Sequence, residues 1–66
     1  MELDHIDKEI LRFLIKYGDW ANTNYIAESV GISWKTAERH LIQLSVQNYV
    51  IFGLDGNKHS WWIMND

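Results

Sequence analysis

The chain has 66 residues, of which 47% are hydrophobic and 14% aromatic, and its net charge is −3. This length suits one domain with a small core, and the apolar content is too high for a disordered chain. The lack of cysteine excludes disulfides and thiolate metal sites, and the three scattered histidines suggest no metal or other cofactor.

The first predicted helix covers about residues 4–17. Asp4 is expected to cap it, and Gly18 to end it in the left-handed conformation. Leu11 and Ile15 widen its apolar stripe beyond the needs of a small core. The residues that define the stripe, at helical spacing, are Ile6, Ile10, Phe13, Leu14 and Tyr17.

Two further helices follow closely on each other. Thr23 is predicted to cap a short helix at residues 24–30. Gly31 permits the positive φ of a tight turn, and Ser33 is a good cap for a longer helix at residues 34–47. A short helix, a three-residue turn with glycine and a longer helix are typical of the helix-turn-helix.

The long helix has two unlike faces when its residues are placed at about 100° each. Lys35 and Arg39 lie on one side, with Thr36 and Gln43 beside them. A groove-reading helix and an ordinary surface helix with solvated charges both fit this pattern. The residues predicted to face the core are Trp34, Ala37, Leu41 and Leu44.

The apolar pattern then changes to that of strands. Asn48 is expected to end the long helix. β-Branched and aromatic residues fill positions 49–54 and 59–64 on either side of a polar turn at 55–58, which predicts a β-hairpin. The earlier connector at residues 19–22 can add a brief strand.

Two registers of the hairpin are open. A two-residue loop pairs Phe52 with His59, whereas a four-residue loop pairs Phe52 with Trp61 and Val50 with Ile63. We favour the second register because it places apolar side chains opposite each other.

The hairpin is apolar on both faces, which leaves a surplus. Val50, Phe52, Trp61 and Ile63 are expected to cover the helices. The predicted partner surface then consists of Tyr49, Ile51, Trp62 and Met64 together with Leu11 and Ile15, and Ile42 and Val46 on the long helix add to the surplus. Monomers rarely expose such patches, so we expect a two-fold homodimer, with a core that wraps more of these residues as the alternative.

The order of elements resembles the winged helix-turn-helix family. Residues 3–11 are similar to the opening helix of leucine-responsive-regulator-type domains, and residues 26–33 to the family's second helix and turn. Residues 36–41 with Leu44 resemble the core of a recognition helix. Residues 48–50 stand where such proteins commonly have Gly-Leu-Ile or Gly-Leu-Val.

The resemblance implies an α+β fold, a three-helix winged helix-turn-helix with a C-terminal β-hairpin wing, as a single domain over residues 1–66. It also implies that the long helix enters the DNA major groove while the hairpin lies along the backbone. The implied DNA-binding residues are Lys35, Thr36, Arg39, Gln43, Thr23, Asn24, Tyr25, Lys58 and His59. Roles other than DNA contact stay open for some residues: Thr23 can cap its helix, His40 and Trp34 can pack on the domain, and His59 can be a solvated turn residue.

The predicted function is therefore a sequence-specific regulator of transcription that binds double-stranded DNA. The alternative is a winged helix used for protein association, which the acidic charge and the apolar hairpin favour. No nucleophile–base pair, carboxylate pair or phosphate loop can be assembled, so we expect no enzyme and no small-molecule substrate. With no signal peptide or membrane span evident, we expect a cytoplasmic protein.

Overall fold

A computed structural model describes residues 2–64, so the expected domain at 1–66 includes three positions outside it. The predicted α+β architecture is confirmed, and each helix or hairpin strand lies within one residue of its expected range. None of the helices described is long and apolar enough to cross a membrane. The elements are α1 (His5–Tyr17), β1 (Ala21–Asn22), α2 (Thr23–Val30), α3 (Trp34–Val46), β2 (Val50–Asp55) and β3 (Lys58–Ile63).

Helix α1 begins with a capping box. The side chain of Asp4 accepts a hydrogen bond from the Asp7 backbone N–H, and Asp7 accepts one from the Asp4 backbone N–H. The first of these bonds lowers the pKa of Asp4, so its stabilisation is complete above the ordinary carboxyl pKa and is lost as the pH falls through the lowered value. His40 Nδ1 lies 2.7 Å from Asp7 Oδ1 and fastens α3 to α1 at the edge of the core.

The helix-turn-helix is built as expected, except at its first cap. Asn22, not Thr23, caps α2 by accepting a hydrogen bond from the backbone N–H of Tyr25 at 2.8 Å. Thr23 is the first helical residue and is only 3% exposed. Gly31 has a φ of 83°, and Ser33 caps α3.

Three antiparallel strands form the sheet, in the order β1-β3-β2. The connector does add a short strand, which pairs Ala21 with Trp61. The favoured hairpin register is the one observed, with Phe52 opposite Trp61. The ladder continues to the pair Asp55–Lys58, so the turn has two residues rather than the four expected.

One core joins the three helices to the sheet. Of the two α1 residues assigned to a partner surface, Leu11 packs against this core and is half-buried, whereas Ile15 is exposed. Within residues 2–64, every buried side-chain nitrogen or oxygen has a hydrogen-bond partner. The largest fully buried side chains are Trp61, Ile10, Leu14, Ile26, Leu41, Leu44 and Val50.

Trp20 covers part of the outer face of the sheet. Its ring meets that of Trp62 edge to face, with the ring centroids 5.3 Å apart. A Cβ atom on Gly53 would lie 2.8 Å from the Trp20 ring, so any larger residue at this position would have to displace that ring. Trp62, expected to face a partner, is therefore half-buried within its own chain.

Candidate nucleic-acid interface

Two neighbouring depressions lie beside the first turns of α3, and Trp34 lines both, so they form one continuous surface, the α3–wing face. The hairpin cleft is lined by Asn22, Thr23, Asn24, Trp34, Asn57, Lys58 and His59. The α3 groove is lined by Ser33, Trp34, Lys35, Thr36, Glu38, Arg39 and Ile42.

Three of the four residues predicted on the long helix come together in the α3 groove. Lys35 and Arg39 are both exposed there. Thr36 is half-buried, and its Oγ1 accepts a hydrogen bond from the Ser33 hydroxyl at 2.9 Å. Gln43 is exposed one turn beyond Arg39 but does not line the groove.

The residues predicted at the start of α2 have three different environments. Asn24 is exposed and lines the hairpin cleft. Tyr25 is exposed outside both depressions, where its ring lies 5.6 Å from that of Phe13 and 5.3 Å from that of Tyr17. Thr23 also lines the cleft, but it is buried, and its hydroxyl donates to one side chain and accepts from another.

Four side chains link α2, α3 and the wing in a hydrogen-bonded network. Trp61 Nε1 donates to Thr23 Oγ1 at 2.8 Å, and the Thr23 hydroxyl donates to Glu38 Oε1 at 2.9 Å. His59 Nδ1 lies 2.5 Å from Glu38 Oε2. The Glu38 side chain is only 14% exposed, so its carboxylate holds the wing against α3 instead of facing solvent.

His59 therefore belongs to strand β3 and to this network, not to a solvated turn. The ring of Phe52 lies 5.2 Å from that of His59 and 5.0 Å from that of Trp61, measured between centroids. Phe52 was expected to cover the helices, yet it is exposed. The Phe52 ring instead packs edge to face against the imidazole ring of His59.

Trp34 belongs to the α3–wing face, although the sequence did not predict it there. It was expected to lean on the domain, but it is 50% exposed. A helical side chain normally lies over the turn before its own Cα, and the first residue of α3 has no such turn. A large aromatic residue directly after the cap Ser33 is the signal that could have identified it.

The α3–wing face is the basic side of an acidic chain. Of the six Lys and Arg residues, Lys35, Arg39 and Lys58 belong to it, but of the eight Asp and Glu residues within positions 2–64 only Glu38 does. The net charge of −3 is a sum over the whole chain, so it does not show this local surplus of cations. A surplus of cations on one face suits an anionic polymer.

A helix-turn-helix, an exposed basic groove on its second helix and a hairpin beside that groove define a winged helix-turn-helix domain. The chain belongs to the winged helix-turn-helix DNA-binding family, whose profile matches residues 3–50. The resemblance seen in the sequence is thereby confirmed. Comparison with curated protein sequences gives no significant match.

Similar solved structures include domains that bind DNA. The Zalpha domain of Carassius auratus PKZ, solved in complex with Z-DNA, has 27% identity and a TM-score of 0.81, over 89% of this chain and 92% of that one. The homodimeric winged helix-turn-helix domain Mb0332 of Mycobacterium bovis, described as a possible ArsR-family regulator, has 21% identity and a TM-score of 0.83, over 94% of this chain and 56% of that one.

A third similar structure is a possible transcriptional regulator from Methanosarcina mazei. It has 14% identity and a TM-score of 0.84, and the match covers 96% of this chain and 57% of that one. The chain thus spans little more than half the length of the two regulators, and at these identities they show the shared fold alone.

Proposed function

We propose that the chain, as a single domain, binds double-stranded DNA in a sequence-specific way and regulates transcription, rather than acting as an enzyme. The observation that carries this proposal is the exposed α3 groove, where Lys35 and Arg39 lie side by side in a member of a DNA-binding family. The major groove of B-DNA is about 12 Å wide and admits one α-helix. Helix α3 is the element that we place in it.

The side chains of the α3 groove suit the reading of base edges. Arg39 can donate two hydrogen bonds to O6 and N7 of guanine, and Lys35 can reach a phosphate or a base. Ile42 is 48% exposed in the same groove and suits the methyl group of thymine. This role replaces the associative one expected for it. Gln43 lies one turn beyond Arg39 on α3 and can contact a further base edge.

The hairpin cleft suits the DNA backbone. Asn24, Lys58 and His59 line it near the start of α2, and helix N-termini and cations are common phosphate contacts. Tyr25 lies beside this region and can supply a hydroxyl group. We leave the Thr23 side chain out of the contact set because its hydroxyl is engaged within the network.

A salt titration of binding to a random-sequence B-form duplex tests the proposal. If Lys35, Arg39 and Lys58 neutralise three phosphates, the plot of log K against log salt concentration should have a slope of about −2 to −3. A complete lack of binding at low salt would instead favour the protein-association alternative.

A left-handed duplex is the second candidate ligand, because the Carassius auratus domain was solved in complex with Z-DNA. An alternating CG duplex, followed by circular dichroism, forms the second arm of the same titration. Tighter binding to the left-handed form than to B-DNA of any selected sequence would replace major-groove reading by recognition of the DNA form.

We also propose that two chains act as a homodimer, which would read two half-sites. Two observations support this: the Mb0332 domain is homodimeric, and Tyr49, Ile51 and Met64 are exposed next to one another at the open end of the hairpin. Ile15, exposed on α1, offers a second apolar position.

Sedimentation equilibrium at micromolar concentration is expected to give the mass of two chains. Ile51→Glu should give the mass of one chain, because a charge in the centre of an apolar contact is costly. Leu54→Glu is the matched control, since Leu54 is also exposed but lies near the turn end of β2, on the opposite face of the strand from Ile51. A wild-type mass of one chain would contradict the dimer.

A further inference from the structure

We propose that DNA binding takes up one proton at Nε2 of His59, so that the affinity for DNA rises as the pH falls through the neutral range. The inference rests on the proposed function and adds a form of regulation to the same site. Its basis is the contact between His59 and Glu38 and the position of both residues on the α3–wing face.

The Glu38 carboxylate determines which nitrogen of His59 carries a hydrogen. An ionised carboxylate only accepts hydrogen bonds, so Nδ1, at 2.5 Å from Oε2, must be the donor. In the neutral imidazole, Nε2 is then an acceptor. A phosphate oxygen is also an acceptor, and neutral His59 therefore cannot donate a hydrogen bond to the DNA backbone.

His59 lies in the cleft where we place a DNA phosphate, so a ring that cannot donate a hydrogen bond there would weaken binding. Its side chain is 43% exposed and lines the hairpin cleft with Lys58 and Asn24. A phosphate in the cleft would place a second anion beside a ring that already contacts Glu38. Opposite charges favour the charged form of a titrating group, and imidazole changes charge near neutral pH. Binding of the phosphate would therefore protonate Nε2.

The charged groups near His59, within the described residues, come from α3 and from the hairpin. Helix α3 contributes Glu38, in direct contact. The hairpin contributes Lys58, the preceding residue, and Asp55, its cross-strand partner, whose charges oppose each other. The uncharged side chains that β2 and α2 bring to this region are those of Phe52, Thr23 and Asn24.

The experiment is to measure duplex binding at constant low ionic strength between about pH 6 and 8, with calorimetry in buffers of different ionisation enthalpy to count protons. We expect uptake that approaches one proton per chain, and an affinity that falls by up to about tenfold per pH unit as the pH rises across this range. His59→Gln should abolish both effects. His5→Gln, at an exposed position at the start of α1 outside the face, should preserve both.

Glu38→Gln separates a protonation role from a merely structural one. The glutamine amide can accept from Thr23 and donate to His59 Nδ1, so that Nε2 carries the hydrogen in the neutral ring. This variant should bind DNA at pH 8 at least as tightly as the wild type, with no pH dependence. Weaker binding at every pH with an unchanged pH dependence would instead mean that Glu38 only supports the wing.

The two proposals fail in distinguishable ways. Unchanged proton uptake in His59→Gln would overturn the inference and leave DNA binding in place. A wild-type chain that binds neither form of duplex at any of these pH values would overturn the proposed function, and this inference with it.

Discussion

Leu41→Ala is expected to lower the free energy of unfolding by about 2–5 kcal/mol. Leu41 is 0% exposed and lies on α3, in the core shared with α1 and the sheet. The truncation loses the transfer free energy of the removed atoms and leaves a cavity that the surrounding helices cannot close. Because a chain of this size buries only about 60% of its unfolded surface, this loss is a large part of its total stability.

Urea denaturation followed by circular dichroism measures this effect. Ile42→Ala is the matched control, since it shortens the next residue on the same helix, which is exposed in the α3 groove. It should cost less than about 1 kcal/mol. Equal effects of the two substitutions would mean that α3 is rotated relative to the core described above.

The helix-turn-helix was largely predictable because its signals act within one turn of the chain. Ser33 caps α3 through a backbone N–H three residues away, and Gly31 supplies a positive φ locally. The first cap was not predictable in this way, since Asn22 and Thr23 are both good capping residues. The choice depends on Trp61, whose indole N–H needs a buried acceptor and finds it in Thr23, 38 positions earlier.

The candidate site likewise combines positions that the sequence predicts with a contact that it does not. Helical spacing alone places Lys35 and Arg39 opposite the buried Leu41. The contact between Glu38 and His59 depends on how the wing folds back onto α3, and no local pattern marks it.

The apolar surplus has a similar explanation. Trp62 was assigned to a partner surface because strand alternation places it on the outer face of the sheet. Trp20, from the connector before β1, covers it there. Periodicity describes one element at a time, so it cannot show that a connector will cover the face of a sheet.

Arg39→Ala is expected to weaken binding to a selected duplex by about 1–3 kcal/mol, which is about 5-fold to 150-fold in affinity. Arg39 is exposed in the α3 groove between Lys35 and Ile42. Among residues 2–64, the arginine engaged in an ion pair is Arg12, with Glu9 on α1. The Arg39 guanidinium is thus available to a ligand, and Arg12→Ala, outside the face, is the control that should leave affinity unchanged.

Arg39→Lys separates the two roles that this cation can play. Lysine keeps the charge but lacks the planar fork that binds guanine through two hydrogen bonds. If Arg39 reads a base, the lysine variant should lose affinity for the selected site and discriminate less at one position. If Arg39 contacts a phosphate, the lysine variant should bind normally, and Arg39→Ala should reduce the salt slope by about 1 on every sequence. Wild-type affinity and an unchanged salt slope in Arg39→Ala would remove this residue from the interface and leave Lys35 and Lys58 as its cations.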